Sequence, residues 1–322
     1  ADAFEDSESI AMQQQAFTQY LLSGQLHEGV SVLKDVLGRL GLKMPRTFAG
    51  SVFRILITRF QIWIRGTNLR LIPAGKIPPD NLLRVDVLWC VGICLRRTDL
   101  IRGVDFAARS CLEAIRLGEP GRIARNLALE GVHRLVPGER SSRRAAELIG
   151  MAKTLSEEAD SPLVCTQVTM CEGIASALLG QWEKCFVYSE RAEIGFRSDE
   201  VGEVTTSRFW QMLSLVWLGR FAELQKRCIG FVENARERGD LYELVNLGSL
   251  TLAIARLAQD RPKEAWDDVN SAMNRWTQEG FHIQHHLDWD AKVSILLYEG
   301  NHREAGVMLN KCWSHHTRSS LW

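Results

Sequence analysis

The chain has 322 residues, with 39 basic against 39 acidic, so its formal net charge is zero. Apolar residues make up 46%, charged residues 24%, and only 8 residues are proline. These values exclude a disordered, linker-rich chain and a protein whose whole surface is built for nucleic acid. The length suits two average domains or one elongated repeat array.

Taken in chain order, the first eight residues are acidic and lack the basic-then-apolar pattern of an export signal. The chain starts at Ala1 rather than Met and is expected to be part of a longer polypeptide. No run of 18 apolar residues occurs, and the most apolar stretch, Phe48 to Ile64, is interrupted by Arg54 and Arg59, so no membrane partner is expected. Period-3.6 patterning predicts helices over residues 8–22, 26–40, 48–65, 80–97, 100–117, 119–135, 140–158, 162–179, 182–197, 202–218, 221–238, 241–258, 262–278, 282–298 and 302–315. No alternating strand segment competes with them. Short turns between them make successive helices antiparallel neighbours.

One turn recurs. Gly180-Gln-Trp-Glu-Lys-Cys185 is echoed at Gly219-Arg-Phe-Ala-Glu-Leu224, Asp260-Arg-Pro-Lys-Glu-Ala265 and Gly300-Asn-His-Arg-Glu-Ala305, at spacings of 39, 41 and 40 residues. Gly138 and Thr98 continue the series backwards at 42 and 40, and Gly24 lies 74 before Thr98, near two units. A Gly or Asp supplies the left-handed or tight turn that ends the first helix. Five positions later a small or medium residue (Cys185, Ala265, Ala305) allows the two helices to cross closely, and seven residues further on Ala192 and Ala272 offer a second close approach. One hairpin has too little apolar face to bury alone, whereas seven or eight stacked hairpins share a continuous core. The pattern resembles the tetratricopeptide repeat, with a period near 40 instead of 34 and without the proline that usually closes the unit. The expected fold is therefore all-α, a right-handed α-solenoid of antiparallel helical hairpins. Residues 1–79 are read as N-terminal hairpins with an irregular basic insertion, and residues 80–322 as the regular array, in one continuous solenoid.

The eight cysteines (Cys90, Cys94, Cys111, Cys165, Cys171, Cys185, Cys228, Cys312) include no Cys-x-x-Cys pair. That sets aside zinc-ribbon and thioredoxin-type motifs. Apolar neighbours at helical spacing read most of them as buried small hydrophobes in a reducing compartment.

Two surfaces are singled out. From Lys34 to Pro79 there are nine basic residues and one acid, Asp35, so this segment is +8 and the rest −8. It holds a turn-rich stretch, Leu71 to Pro79, after which Asp80 or Asn81 is expected to cap the next helix. A charge run is most often a solvated face; docking to an acidic partner is the functional reading, with Arg54 and Arg59 as candidate partner-binding residues. Those two lie about 140° apart on a helix and form no single basic stripe. With no ladder of exposed aromatics for base stacking, nucleic acid is not an expected partner. The second surface is histidine-rich: His282, His285 and His286 with Asp288 and Asp290, then His302, Cys312, His315 and His316. Residues three or four apart share a helix face, so His282, His285, His286 and Asp290 form a candidate ligand- or partner-binding set. No metal is expected, since no His-Glu-x-x-His is present and the spacing between the groups fixes no ligand geometry.

No phosphate-binding Gly-rich loop, kinase catalytic loop or Gly-x-Ser-x-Gly elbow occurs. The adjacent carboxylates Glu157-Glu158 and Asp267-Asp268 point about 100° apart on a helix and make no acid–base pair. No catalytic residue and no cofactor is expected.

Longer stretches carry a second resemblance. They are Leu21-Leu-Ser-Gly24 with Val32 to Pro45, Ile77-Pro-Pro-x-x-Leu-Leu-Arg84-Val-Asp86, Asp99-x-x-Arg102-Gly-x-Asp105-Phe, Gly118-Glu-Pro120, Arg236 to Tyr242, Asn246-Leu-Gly248 and Arg275-Trp-x-x-Glu-Gly280-Phe-His-x-Gln-His285. Together, over about residues 10–316, they resemble the helical C-terminal region of large bacterial serine/threonine protein kinases that carry an AAA/STAND-type ATPase module. The resemblance implies a cytoplasmic signalling protein in which ATP is handled by upstream modules and this array is a non-catalytic sensor or interaction scaffold. Its partner would be a separate protein or the upstream modules, with a small-molecule effector as a further candidate. None of the kinase motifs falls within these residues. The alternatives are the sensor array of an ATPase-type transcription activator and an all-helical enzyme whose site is not legible as a motif.

Overall fold

The computed structural model describes residues 16, 19, 20, 23, 25–39, 41–45, 47–66, 69–96, 99–136, 138, 141–197, 200–278 and 280–317. Among them the structure is all-helical, without a strand. The helix expected over 8–22 lies largely outside the described residues, as do the anchors Gly24 and Thr98. Fifteen α-helices are described, and none of these is long and apolar enough to cross a membrane. The chain divides into two compact units, one over Ser31–Ser207 and one over Arg208–Trp322 with Ala16–Val30.

The first nine helices are α1 (Leu26–Arg39), α2 (Phe48–Arg65), α3 (Pro79–Leu95), α4 (Leu100–Leu117), α5 (Pro120–Leu135), α6 (Ser142–Glu158), α7 (Pro162–Leu178), α8 (Trp182–Gly195) and α9 (Val201–Trp217). A short 3-10 turn, Ala74–Lys76, precedes α3. Within the first unit α3/α4, α5/α6 and α7/α8 are antiparallel hairpins, and α2 packs against α4. Side chains at the helix starts hold several turns: Thr47 accepts from the Gly50 N–H, Asp99 from Arg102, and Glu119 from Gly121 and Arg122. The expected cap of α3 by Asp80 or Asn81 is not found. Pro78 is the cap residue and Pro79 opens the helix, because its fixed φ is already helical and its missing N–H needs no partner.

The repeat has a visible cause in the backbone. The anchors Gly138, Gly180, Gly219, Asp260 and Gly300 all adopt positive φ, from 58° at Asp260 to 105° at Gly138. A second series, Gly118, Asp160, Gly239 and Gly280, does the same where one hairpin passes to the next. The hairpins also cross at small residues that the sequence reading missed. A Cβ on Gly92 would lie 2.9 Å from the Ala107 nitrogen, and one on Gly131 would lie 2.7 Å from the Ile149 side chain. The expected small positions Cys185, Ala192, Ala265, Ala272 and Ala305 are all buried.

The second unit continues with α10 (Phe221–Glu237), α11 (Leu241–Gly248), α12 (Leu250–Leu257), α13 (Pro262–Met273), α14 (Ile283–Tyr298) and α15 (His302–His316). The single helix expected over 241–258 is broken at Ser249, whose ψ is −102°. Around the break Asn246, Ser249 and Thr251 each donate to the carbonyl four residues back, the competition with the helix ladder that these side chains favour. The helix expected over 262–278 stops at Met273 because Trp276 folds back into the core, 2% exposed and beside Tyr242, while Gln278 donates to the Met273 and Trp276 carbonyls. Ala253, Leu257, Ala265, Val269, Ala291 and Ile295 form the core shared by α12, α13 and α14.

All eight cysteines are free thiols. Seven are buried, Cys312 among them, and Cys165 is half-buried. Burial pushes the Cys171 and Cys228 thiols up to about 12, so they are packing residues with no thiolate chemistry at neutral pH.

Candidate functional site

The histidine-rich end is a packed corner. His282 precedes α14, and its N–H donates to His285 Nδ1 at 3.1 Å. That bond fixes His285 as the neutral tautomer with its proton on Nε2. Burial holds this imidazole below the usual histidine range, against an opposing hydrogen bond to the Thr277 backbone. The Phe281 ring lies 5.7 Å from His285, 5.4 Å from Trp289 and 6.1 Å from His315. His286 faces Asp290 at 3.4 Å one turn on, and Lys292 holds Asp288 at 2.9 Å. His282 and His285 are therefore brought together, whereas His286 and Asp290 form a separate pair. Among the described residues no group of three histidine, cysteine or acidic side chains is placed to hold a metal.

Arg54 and Arg59 flank the buried side of α2 and turn back into the fold. Arg59 makes a bidentate pair with Glu130 of α5, at 2.9 and 3.3 Å, and Arg134 bonds the same carboxylate at 2.7 Å. Glu130 is 2% exposed, so it binds two guanidinium groups almost out of water. Arg54 donates to the Lys43 carbonyl at 3.3 Å, and its Nε lies 3.6 Å from Asp105. Arg65, at the end of α2, donates to the Ile115 carbonyl at 3.3 Å. Of the positive charge of α2, Arg59 is taken up by Glu130, whereas Arg54 is a third exposed and Arg65 is exposed.

What α2 turns outward is apolar. Ser51, Ile55, Thr58 and Ile62 face the fold and are buried. Phe53, Leu56, Phe60, Trp63 and Ile64 lie on the opposite side and are 57% to 69% exposed. Phe60 and Trp63 stack with ring centroids 5.8 Å apart. These side chains recur every three or four residues along a helix of 18 residues, about 27 Å long, and no charge interrupts them. Beside Trp63 opens a cleft of about 420 Å³ lined by Ile62, Glu130, Arg134, Arg144 and Leu148. The sequence reading found no exposed aromatics here. The spacing of Phe53, Phe60 and Trp63 was the available signal, and it was masked because the inward face of the same helix is also largely apolar. A contiguous exposed apolar face of this kind makes α2 a candidate interaction surface.

No known family profile matches this chain, and no curated protein matches it in sequence.

Proposed function

We propose that this chain is a non-catalytic helical-repeat scaffold whose outer α2 face binds a protein partner. In this reading it is the regulatory array of a cytoplasmic signalling polypeptide, and the partner is the kinase and ATPase portion upstream or a protein that it controls. The observation that carries the interaction reading is the uncharged outer face of α2. Five large apolar side chains there stand in water, while Arg59 of the same helix turns back to Glu130 and Arg54 toward Asp105. Aromatic anchors beside a cleft are the features that dominate protein–protein binding energy. The five exposed apolar side chains of the outer face include no cation to meet a phosphate, so that face favours a protein over nucleic acid. The hairpin repeat supports the scaffold reading, since stacked hairpins present extended binding surfaces. The kinase and ATPase parentage rests on the sequence resemblance alone.

The test is isothermal titration of the purified chain against the separately purified segment that precedes Ala1 in its polypeptide. A double variant, Phe60→Ser with Trp63→Ser, is expected to weaken binding at least tenfold, about 1.4 kcal/mol, while the unfolding midpoint stays in place. Unchanged binding by that variant overturns the assignment of α2. ATP hydrolysis or kinase turnover by the 322-residue chain itself overturns the non-catalytic reading.

A further inference from the structure

A second feature of the first unit is independent of the outer α2 face. Between α2, α3 and α4 lies a cleft of about 250 Å³ onto which four arginines converge: Arg54, Arg84, Arg109 and Arg116. Arg54 and Arg109 donate to one and the same carbonyl oxygen, that of Lys43, at 3.3 and 3.4 Å. Two like charges are thus held close by a neutral acceptor. The carboxylate facing them is Asp105, which is completely buried; neither of its oxygens accepts a hydrogen bond from a described residue, and Arg54 Nε stands 3.6 Å away. Glu113 is taken up by Arg116 at 2.9 Å. Arg84 is exposed and has no carboxylate partner among the described residues.

Four guanidinium groups therefore face two carboxylates, an excess of two positive charges. The strain is visible in Arg109. Its pKa is pulled down to about 10, first by burial and then by the charge of Arg54, with Arg84 adding to it. The other arginine clusters are better satisfied. Asp86 accepts from both Arg122 and Arg125, Glu119 adds a second carboxylate to Arg122, and Glu243 accepts from both Arg208 and Arg238. The α2–α4 cleft combines converging guanidinium groups, an open volume and a carboxylate, Asp105, that accepts from none of them.

We propose that this cleft is a binding site for a small phosphate monoester, held by Arg54, Arg84, Arg109 and Arg116. A dianion balances the excess charge, and the planar forks of arginine match phosphate oxygens in pairs. At about 30 Å³ per water the cleft has room for about eight waters, enough for a phosphate and a small organic group. Ile57, Leu88 and Leu112 line the same cleft and give that group an apolar wall.

The experiment is isothermal titration of the 322-residue chain with phenyl phosphate at constant ionic strength. Saturable binding is expected, weakened at least tenfold by Arg84→Gln and lost in Arg109→Gln. Arg84→Gln is expected to keep its unfolding midpoint, because that side chain is exposed and has no carboxylate partner among the described residues. Benzoate, a monoanion of similar shape, is expected to bind at least tenfold more weakly. No saturation up to about 10 mM phenyl phosphate, where binding is worth less than about 3 kcal/mol, overturns the proposal. So does equal binding of benzoate, or binding that Arg84→Gln leaves unchanged. A phosphoserine peptide that binds tenfold more tightly than phenyl phosphate overturns the small-molecule assignment in favour of a modified protein.

Discussion

Helices α2 and α13 are built from the same ingredients and arranged in opposite ways. In α13, Ala265, Val269 and Ala272 are buried, while Lys263, Glu264, Asp267 and Asn270 stand in water. In α2, Arg54, Arg59 and Arg65 reach inward to Asp105, Glu130 and the Ile115 carbonyl, and Phe53, Leu56, Phe60, Trp63 and Ile64 stand in water. The first arrangement minimises free energy for an isolated repeat. The second leaves the apolar area uncovered, pairs Arg59 with a buried carboxylate at hydrogen-bond distance and leaves Arg54 3.6 Å from Asp105. A count of charges along a segment therefore gives the number of charges and says nothing of which way they point.

The comparison is broken most severely at Glu130. Replacing it by alanine leaves Arg59 and Arg134 half-buried and unpaired, and is expected to cost about 3 kcal/mol in urea unfolding. A loss below about 1 kcal/mol would show that these charges are solvated and that α2 is an ordinary amphipathic helix. The corresponding stress on α13 is Ala265→Leu, which overfills a site with no exposed surface beside Ala253 and Ala291. It is expected to cost about 2 kcal/mol by the same measurement.

A titration sharpens the contrast further. His133 of α5 is buried and neither ring nitrogen has a hydrogen-bond partner among the described residues; burial, reinforced by Arg96 and by Arg59 from α2, holds it well below the usual histidine range. Below about pH 6.5 the unfolded chain takes up a proton there that the folded chain refuses. The unfolded state then binds more protons, so stability rises with pH across the window between the lowered folded value and about 6.5, and is flat above it. Relative to wild type, His133→Gln is expected to remove a slope of about 1 kcal/mol per pH unit across that window. Identical pH profiles for the two proteins would refute this. The smallest stability effect belongs to the outer face of α2. Phe60→Ser with Trp63→Ser is expected to shift folding stability by less than about 0.5 kcal/mol, because these rings gain little from their own fold. A large loss would place them in the core.

Much of the fold was legible because it is local. Helix α4 lies at residues 100–117 and α2 at 48–65, as the apolar period predicts, and Gly180, Gly219 and Gly300 turn with positive φ where the repeat marks them. The break at Ser249 was illegible because Asn246, Ser249 and Thr251 are compatible with a helix and bend it only by choosing backbone acceptors. Of the candidate site, the sequence identified the histidines and arginines as residue types. That Arg59 serves Glu130 seventy-one residues away depends on a partner no local pattern contains, whereas the bond from the His282 N–H to His285 spans only three residues.

By itself, then, the sequence determined the helical class, the forty-residue hairpin period and the small residues that let hairpins close, because turn chemistry and period-3.6 burial act over a few residues. Only the tertiary structure decided where the charge goes. Whether an arginine meets water, a buried carboxylate or another arginine is set by helices far apart in the chain. That choice leaves one face of α2 bare and the cleft beside it with more positive charge than its own carboxylates balance.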